Sequence, residues 1–123
     1  MKKYISIIAI LLLFINCKNE QQDPKRFKSG TFEIPAGDGF DRTTIVRVDS
    51  LQIETYDNKT DTLYISWKNN FNYTLKMLHP TSAIDEDLIH VKITSISKNS
   101  YTFEAVIGHS NFVQKGELTK ISN

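Results

Sequence analysis

Apolar and polar residues alternate along much of this chain, and that period of two limits its fold more than any other feature. Successive side chains of a β-strand point to opposite faces, so strict alternation predicts a strand with one buried face. The clear cases are Leu51, Ile53 and Thr55; Leu63, Ile65 and Trp67; Tyr73, Leu75 and Met77; Ile89, Val91 and Ile93; and Tyr101, Phe103, Ala105 and Ile107. We expect these segments to be half-buried antiparallel strands.

Less regular segments at residues 27–34, 43–48 and 112–121 bring the expected number of strands to about eight. In the last of them, Gly116 indicates a bulge that changes which face is apolar. Short polar turns separate the strands, and the longer connection at 79–87 has room for one helical turn. The sequence therefore predicts an all-β fold, either a small antiparallel up-and-down barrel or a strongly curved sheet.

The N-terminus has the profile of a signal peptide, because Lys2 and Lys3 precede an apolar run over residues 4–15 that only Ser6 interrupts. A helix needs about 20 apolar residues to cross a bilayer, so this run is too short for a permanent membrane span. We expect residues 1–16 to be cleaved off as the chain is exported.

Cys17 is the only cysteine and stands where the apolar run ends, so no intramolecular disulfide explains it. Residues 13–17, with the sequence LFINC, resemble a bacterial lipobox, and this resemblance implies that Cys17 carries lipid. Several acyl chains make a stable anchor, since each buried CH₂ contributes about 0.8 kcal/mol. We expect the polar residues 17–25 to form a flexible tether and residues 26–122 to form the barrel domain.

The expected location is the cell envelope, where the lipid anchors the domain to the outer membrane on its periplasmic or its surface side. The start of the tether, Lys18-Asn19-Glu20, resembles the surface-export signal of Bacteroidota lipoproteins, and a soluble spacer explains it equally well. With 15 basic and 14 acidic residues in the chain, no excess of positive charge points to nucleic acid. The expected partners are the membrane and either an envelope protein or a small apolar ligand.

A family resemblance rests on the signal and cysteine together with three segments, RFKSGTF at 26–32, RVDSL at 47–51 and SYTFE at 100–104. In these the chain resembles a group of small uncharacterised Bacteroidota lipoproteins, over most of its length. The resemblance implies a lipocalin-like or calycin-like barrel without assigned catalytic residues. Some similar chains carry the name of a type II topoisomerase, but so short an exported chain cannot hold the tyrosine nucleophile, metal ligands and ATP-driven clamp of that enzyme.

The histidines and acidic residues show no recognisable metal site. The candidates are His79, His90, His109, Asp38, Asp41, Asp85, Glu86 and Asp87. The histidines lack the spacing of zinc ligands, and the acidic residues lack the spacing of a calcium loop. No nucleophile elbow is present, and no Asp stands in an identifiable relation to a His. We expect no metal, no cofactor and no enzymatic activity.

Two short motifs, DSL at 49–51 and DTL at 61–63, resemble the site at which exported Bacteroidota proteins are O-glycosylated. This resemblance makes Ser50 and Thr62 candidate glycosylation sites, and both are expected in exposed turns. A polar turn that begins a strand explains the same residues. Both interpretations stay open.

Aromatic residues are the candidates for lining a ligand pocket inside the barrel. They are Phe32, Tyr56, Tyr64, Trp67, Tyr73, Tyr101, Phe103 and Phe112. An eight-stranded barrel is just wide enough to be filled by side chains or to hold one small ligand, and large side chains favour filling. We expect a filled interior, without the roughly 300 Å³ that a drug-sized ligand needs.

Two hypotheses about function follow. The first, supported by the tether, the near-neutral charge and the lack of a recognisable catalytic set, is a non-enzymatic membrane-anchored lipoprotein that binds a partner through its barrel surface or loops. The second is a lipocalin-like carrier or sensor of a small apolar ligand, which requires space inside the barrel. A cavity measurement separates them.

Overall fold

The computed structural model describes residues 23–37 and 41–123, which form an all-β domain of eight antiparallel strands closed into a barrel. The predicted barrel is confirmed. The signal peptide, Cys17 and Asp38 lie outside the described residues. The strands are β1 (Gly30–Ile34), β2 (Thr43–Val48), β3 (Leu51–Tyr56), β4 (Lys59–Asn69), β5 (Asn72–Met77), β6 (Ile89–Ile96), β7 (Ser100–Ile107) and β8 (Gln114–Ser122).

Each strand pairs with the next along the chain, and β8 pairs with β1 to close the barrel. Because the strands run up and down, every second connection lies at the same end. We call the end with the tight β2–β3, β4–β5 and β6–β7 turns, where the chain also enters β1, the closed end. The other end, the open end, carries the β3–β4 and β7–β8 connections and the two longest ones, at residues 35–42 and 78–88.

A 3₁₀ helix over Pro24–Lys28, here named the closing helix, covers the closed end. Asp23 caps its start by accepting a hydrogen bond from the backbone N–H two residues later at 3.0 Å, and a proline occupies the first turn. Phe27 is fully buried, and its ring meets the ring of Tyr101 edge-on with 5.2 Å between centroids. The prediction of a strand starting at residue 27 is therefore wrong, because the capped proline turn places Phe27 inside the barrel end.

Three cationic side chains fix the closing helix to the barrel. Arg26 donates hydrogen bonds to two backbone carbonyls of the β6–β7 turn. Lys120 of β8 donates to the carbonyl of Arg26 at 2.5 Å, and Arg47 of β2 donates to the carbonyl of Phe27 at 2.9 Å. The helix also includes Lys25, at the end of the predicted tether.

The core is built from inward-facing side chains of the closing helix and of every strand except β3. Its buried apolar members are Phe27, Phe32, Ile45, Leu63, Ile65, Tyr73, Leu75, Val91, Ile93, Tyr101 and Leu118. The apolar faces predicted for β4, β5 and β6 are confirmed, and Trp67 packs against this cluster as a half-buried side chain. Burying one such side chain fully stabilises the fold by roughly 1.5–3 kcal/mol.

The face that β3 turns inward is the opposite of the predicted one. Gln52 is 2% exposed and Glu54 lines the interior, whereas Leu51 and Ile53 lie half-buried on the outer face. The register explains this, because Gln52 lies directly opposite Arg47, which is itself 2% exposed. An unpartnered buried charge costs more than the burial of two aliphatic side chains gains, so the guanidinium determines the register.

Gly116 does not mark a bulge, as the sequence had indicated. It pairs in regular register with Phe103 of β7, and a Cβ added there would lie 2.6 Å from the Phe103 ring. Glycine is needed because the ring packs directly on the backbone. The irregularity of β8 lies in its pairing with β1, where the register passes over Ile121.

The long connection between β5 and β6 contains a short 3₁₀ helix, Ile84–Glu86, which confirms the expected helical turn. The Thr81 hydroxyl donates to the Asp85 carboxylate at 3.0 Å, and this bond lowers the pKa of that carboxyl group. The Gly108 N–H donates to the Leu88 carbonyl at 2.8 Å, which joins this connection to the β7–β8 connection. In the described part of the chain no helix is long and apolar enough to cross a membrane.

Candidate functional site

The interior of the barrel holds a cavity of about 600 Å³ that reaches the open end. This volume falls within the range of about 300–1,000 Å³ that is typical of small-ligand pockets. The prediction of a filled interior is wrong, although Leu63, Ile65 and Val91, on which it rested, are buried as expected. Space remains because the cavity lining includes small residues such as Ala105 and Gly116 and a polar stretch on β3.

The lining of the cavity has two chemically distinct parts. The apolar part includes Ile34, Ile45, Leu75, Ile89, Val91, Phe103, Ala105 and Leu118. The polar part consists of side chains from β2 and β3, namely Thr43, Arg47, Gln52, Glu54 and Tyr56, and continues at the open end with Asp41, Asp57, Gln114 and Lys115. A molecule complementary to both parts is amphiphilic.

Arg47 forms the deep end of the polar part. Its Nε–H donates to Gln52 Oε1 at 2.8 Å, and one terminal nitrogen donates to the hydroxyls of Tyr73 and Tyr101, both at 2.9 Å. The other terminal nitrogen donates to the Phe27 carbonyl at 2.9 Å. Four of the five N–H groups of a guanidinium are thus bonded within the protein, which compensates the burial of its charge.

Aromatic rings surround the Arg47 guanidinium. Its central carbon lies 5.0 Å from the ring centroid of Phe32, 5.6 Å from that of Trp67, 4.8 Å from that of Tyr73 and 5.8 Å from that of Tyr101, all within cation–π range. Burial raises the pKa of Tyr101 well above its usual value, so its hydroxyl stays neutral. Arg47 is therefore a fixed structural cation of the closed end.

Gln52 connects this cation to a pair of acids that lies toward the open end. The Gln52 side-chain amide donates to Glu54 Oε1 at 2.8 Å. Burial raises the pKa of the Glu54 carboxyl group, and this outweighs the lowering effect of the Gln52 hydrogen bond. Glu54 lies directly opposite Asp61 of β4 in the strand register, so both carboxyl groups occupy one face of the sheet. Like charges in this position destabilise a sheet.

A tyrosine hydroxyl holds the second acid of this pair. Tyr56, which lines the cavity, donates from its hydroxyl to Asp61 Oδ2 at 2.7 Å. That hydrogen bond raises the pKa of Tyr56, so the phenol keeps its proton. Both carboxyl groups are therefore held by neutral donors, an amide for Glu54 and a phenol for Asp61.

No basic side chain within the described residues forms an ion pair with either acid. The ion pair found there joins Arg42 to Glu33, both on the outside of the barrel, where Arg42 lowers the pKa of the Glu33 carboxyl group. Lys115 lines the cavity at the open end without an ion pair. The acidic pair is thus uncompensated by direct contact.

The aromatic residues considered as a pocket lining divide among the cavity, the core and the surface. Tyr56, Tyr73 and Phe103 line the cavity, and Trp67 packs against the core. Phe32 and Tyr101 are buried in the core, while Tyr64 and Phe112 are 50% and 73% exposed.

The residues considered as metal ligands do not come together in the described residues. All three histidines are exposed, and His90 faces outward on β6 as predicted. Asp41 lines the mouth of the cavity, while the acidic run 85–87 lies in the β5–β6 connection. Across residues 23–37 and 41–123, no group of three or more His, Cys, Asp or Glu side chains could hold a metal ion.

The two candidate glycosylation sites differ in their surroundings. Ser50 is exposed in the β2–β3 turn, as predicted. Thr62 is half-buried inside β4, so the prediction of an exposed turn there is wrong. The turn lies earlier because Asp57 and Asn58, both with positive φ, form a two-residue hairpin turn from which β4 begins.

The alternation pattern does not single out Arg47, Gln52 and Glu54, since charged side chains are rarely buried. The signal that could have found them is the register of the hairpin. A two-residue turn after Val48 sets position 47 opposite 52, so the guanidinium faces an amide that can bind it.

No protein-family model matches this chain, and neither a curated protein nor a solved structure matches it. The chemistry of the cavity is therefore the basis on which its function is assigned.

Proposed function

We propose that this protein is a membrane-anchored envelope lipoprotein whose lipocalin-like barrel binds a small amphiphilic ligand, as a carrier or sensor and without catalysis. The observation that carries the proposal is the cavity of about 600 Å³ with its apolar and polar parts. Protein interiors are otherwise close-packed, with few voids larger than a water molecule. We therefore interpret a space of this size in so small a domain as a ligand-binding site.

The polar part supports a binding role over loose packing. A closed apolar void costs roughly 24 cal/mol per Å³, so a dry cavity of this volume would exceed the stability of a small domain. Thr43, Gln52 and Glu54 instead present polar groups to it, and the cavity reaches the open end. Water fills such a site in the free protein, and a ligand displaces it.

The membrane anchor in this proposal rests on the sequence. Cys17 follows the apolar run 4–15 after a single residue, Asn16, in a segment that resembles a lipobox. Lipid on Cys17 would hold the barrel at the outer membrane through the polar residues that follow.

Native mass spectrometry of the protein purified from its own host tests the cavity, because a bound molecule adds its mass to the intact chain. We expect one small molecule for each chain. Ala105 lines the cavity and its neighbour Val106 faces outward, so Ala105→Trp should remove the added mass and Val106→Trp should not. Identical spectra for the wild type and Ala105→Trp would contradict the proposal.

Membrane fractionation tests the anchor. Cys17→Ala should move the protein from the membrane fraction to the soluble fraction and abolish acyl labelling, since residues 4–15 are too short to hold it. Ser50→Ala is the matched control, because it changes an exposed turn of the barrel and leaves the cysteine intact. Undiminished membrane retention of Cys17→Ala would show that lipid does not anchor this chain.

A protein partner bound to the barrel surface is a second candidate, which a strip of apolar side chains on the outer face of β2–β4 favours. Val46, Val48 and Tyr64 are 37%, 47% and 50% exposed, and Leu51 and Ile53 lie between them in the strand register. In-cell crosslinking through a photoreactive residue at Val48 should then give one discrete adduct. The same residue placed at His90, on the opposite side of the barrel, should give none.

A further inference from the structure

We infer that the ligand of this cavity carries a positively charged group, an ammonium or a guanidinium, on an apolar body. This inference rests on the proposed function and narrows the amphiphilic ligand to one charge class. The observations that carry it are the partners of each charged side chain around the cavity.

The Arg47 guanidinium, the positive charge deep in the cavity, already has hydrogen-bond partners within the protein. Arg47 is 2% exposed, and it bonds to Gln52, to the Tyr73 and Tyr101 hydroxyls and to the backbone of the closing helix. An anionic ligand would have to displace these partners and leave buried hydroxyls unpaired, which costs about 1–3 kcal/mol for each group. The cavity therefore does not offer its guanidinium to a carboxylate or phosphate.

The Glu54 carboxylate, in contrast, is available to accept hydrogen bonds from a ligand. Glu54 lines the cavity, and the Gln52 amide is the one donor that its side chain has among the described residues. Asp61 stands directly opposite and accepts only the Tyr56 hydroxyl there. An ammonium in the cavity would donate a charge-assisted hydrogen bond to the Glu54 carboxylate and offset its repulsion of Asp61.

The charges nearer to the open end also favour a positively charged ligand. Asp41 and Asp57 line the mouth of the cavity, and Lys115 is the basic side chain that accompanies them. Over the whole lining three carboxyl groups (Asp41, Glu54 and Asp57) face two cations (Arg47 and Lys115), and at the mouth two carboxylates face one lysine, so the mouth attracts cations more than anions.

A metal ion fits this position less well than an organic cation. Glu54 and Asp61 are two carboxylates, and the described residues contain no group of three or more possible ligands. The apolar part of the lining, with Ile89, Val91 and Phe103, also has no role in holding a bare ion. An amine with a hydrocarbon body uses both parts of the cavity.

Isothermal titration calorimetry of the purified protein with three probes tests the inference. The probes 1-octylamine, octanoate and 1-octanol each have an eight-carbon chain and differ in the charge of the headgroup. At neutral pH we expect octylamine to bind at least about tenfold more tightly than octanoate, with octanol between them, since charge-assisted bonds are about twice as strong as neutral ones. Glu54→Gln should lower the octylamine affinity about tenfold and leave the octanol affinity unchanged.

Glu33→Gln is the matched control, because this acid lies on the outside of the barrel and pairs with Arg42. It should leave all three affinities unchanged. Circular dichroism melts of both variants show that they fold, so a lost affinity reports on the site.

Each alternative result is informative. Tighter binding of octanoate than of octylamine would overturn the inference and assign the headgroup to Arg47 or Lys115. Equal binding of all three probes, abolished by Ala105→Trp, would overturn the charge assignment and leave the cavity proposal standing. Absence of binding by every probe would overturn both.

Discussion

The two ends of this barrel differ in how the charged groups of the interior are paired. At the closed end, Arg47 has four N–H groups bonded and Phe27 is fully buried under the closing helix. Toward the open end, Glu54 and Asp61 face each other with neutral partners, and Phe112 is 73% exposed. The same eight strands thus carry a guanidinium with four bonded N–H groups at one end and two facing carboxyl groups without a cationic partner at the other. Among the described residues, the buried side-chain atom without a hydrogen-bond partner is Arg26 Nε of the closing helix.

This difference separates stability from binding. A buried polar group that has partners contributes to the free energy of unfolding, whereas a group without partners is available to a ligand. Because the two kinds of group lie at opposite ends, a substitution at one end should change mainly stability and a substitution at the other mainly affinity. The following experiments test that separation.

The largest expected effect is that of Arg47→Met at the closed end. It leaves the Tyr73 and Tyr101 hydroxyls short of a donor and the Glu54 carboxylate without its nearby positive charge, so we expect a loss of about 3–5 kcal/mol in the free energy of unfolding. Urea denaturation measures it. Arg42→Met, which breaks the exposed pair with Glu33, should cost far less, because water and salt screen an exposed ion pair. Equal losses for both variants would contradict the comparison.

Phe27→Ala should have the second-largest effect, a loss of about 3 kcal/mol in the free energy of unfolding, because it removes a fully buried ring from the closed end. The matched variant Phe112→Ala removes an exposed ring at the open end and should change stability by less than about 0.5 kcal/mol. Thermal melts followed by circular dichroism compare the two. A destabilised Phe112→Ala would mean that the open end has a core of its own.

Removing single hydroxyl groups should sharpen the contrast. Tyr101→Phe takes away an acceptor of Arg47 and a partner of the Tyr73 hydroxyl, 2.7 Å away, and should cost about 1–3 kcal/mol. Tyr56→Phe frees Asp61 near the mouth, where water replaces the lost bond, and should cost less than about 1 kcal/mol. Urea midpoints provide the measurement, and a reversed order would refute the assignment of the stabilising network to the closed end.

The smallest expected effect has the opposite sign. Burial raises the pKa of Glu54 above its usual 4.5, so the folded state binds a proton more readily than the unfolded state. The stabilisation by that proton is present below about pH 4.5 and is lost as the pH rises through the raised pKa. Above it, ionised Glu54 repels Asp61, and Glu54→Gln should stabilise the empty protein by about 0.5 kcal/mol.

Stability profiles of the wild type and Glu54→Gln between pH 4 and 8 check this prediction. The groups facing Glu54 are Arg47 and Gln52 on one side, Asp61 opposite, and Asp57 and Lys115 toward the mouth. The free energies of unfolding of the two proteins should be equal in acid and differ toward neutral pH, where Glu54→Gln should be the more stable. A less stable variant at neutral pH would show that Glu54 belongs to the stabilising network.

The sequence predicts the architecture well because the information is local. Period-two alternation in β4 to β7 marks both the strands and their buried faces, and short polar turns are sufficient to order them as a meander. The position of the closing helix is harder to predict, since Phe27 stands only three residues before β1 and only the Asp23-Pro24 pair signals a helical start.

The cavity could not be predicted by the same means, because its polar part breaks the rule that predicts the strands. On β2 and β3 the aliphatic residues Val46 and Ile53 face outward, while Arg47 and Gln52 face inward. Each strand alone suggests the opposite orientation. The correct choice depends on a cross-strand partnership, and it also depends on Tyr73 and Tyr101, which are distant in sequence and bond to Arg47 only in the folded barrel.

The entry point of the chain has a geometric consequence for the proposed lipoprotein. Five residues separate Cys17 from Asp23, which caps the closing helix, and the six Cα–Cα steps between the two span only about 20 Å at full extension. A lipid on Cys17 would therefore keep the closed end close to the bilayer surface and turn the mouth of the cavity toward the aqueous compartment. Such a protein would exchange its ligand with the aqueous compartment. It would take up a ligand from the membrane only after the barrel had tilted about its lipid anchor.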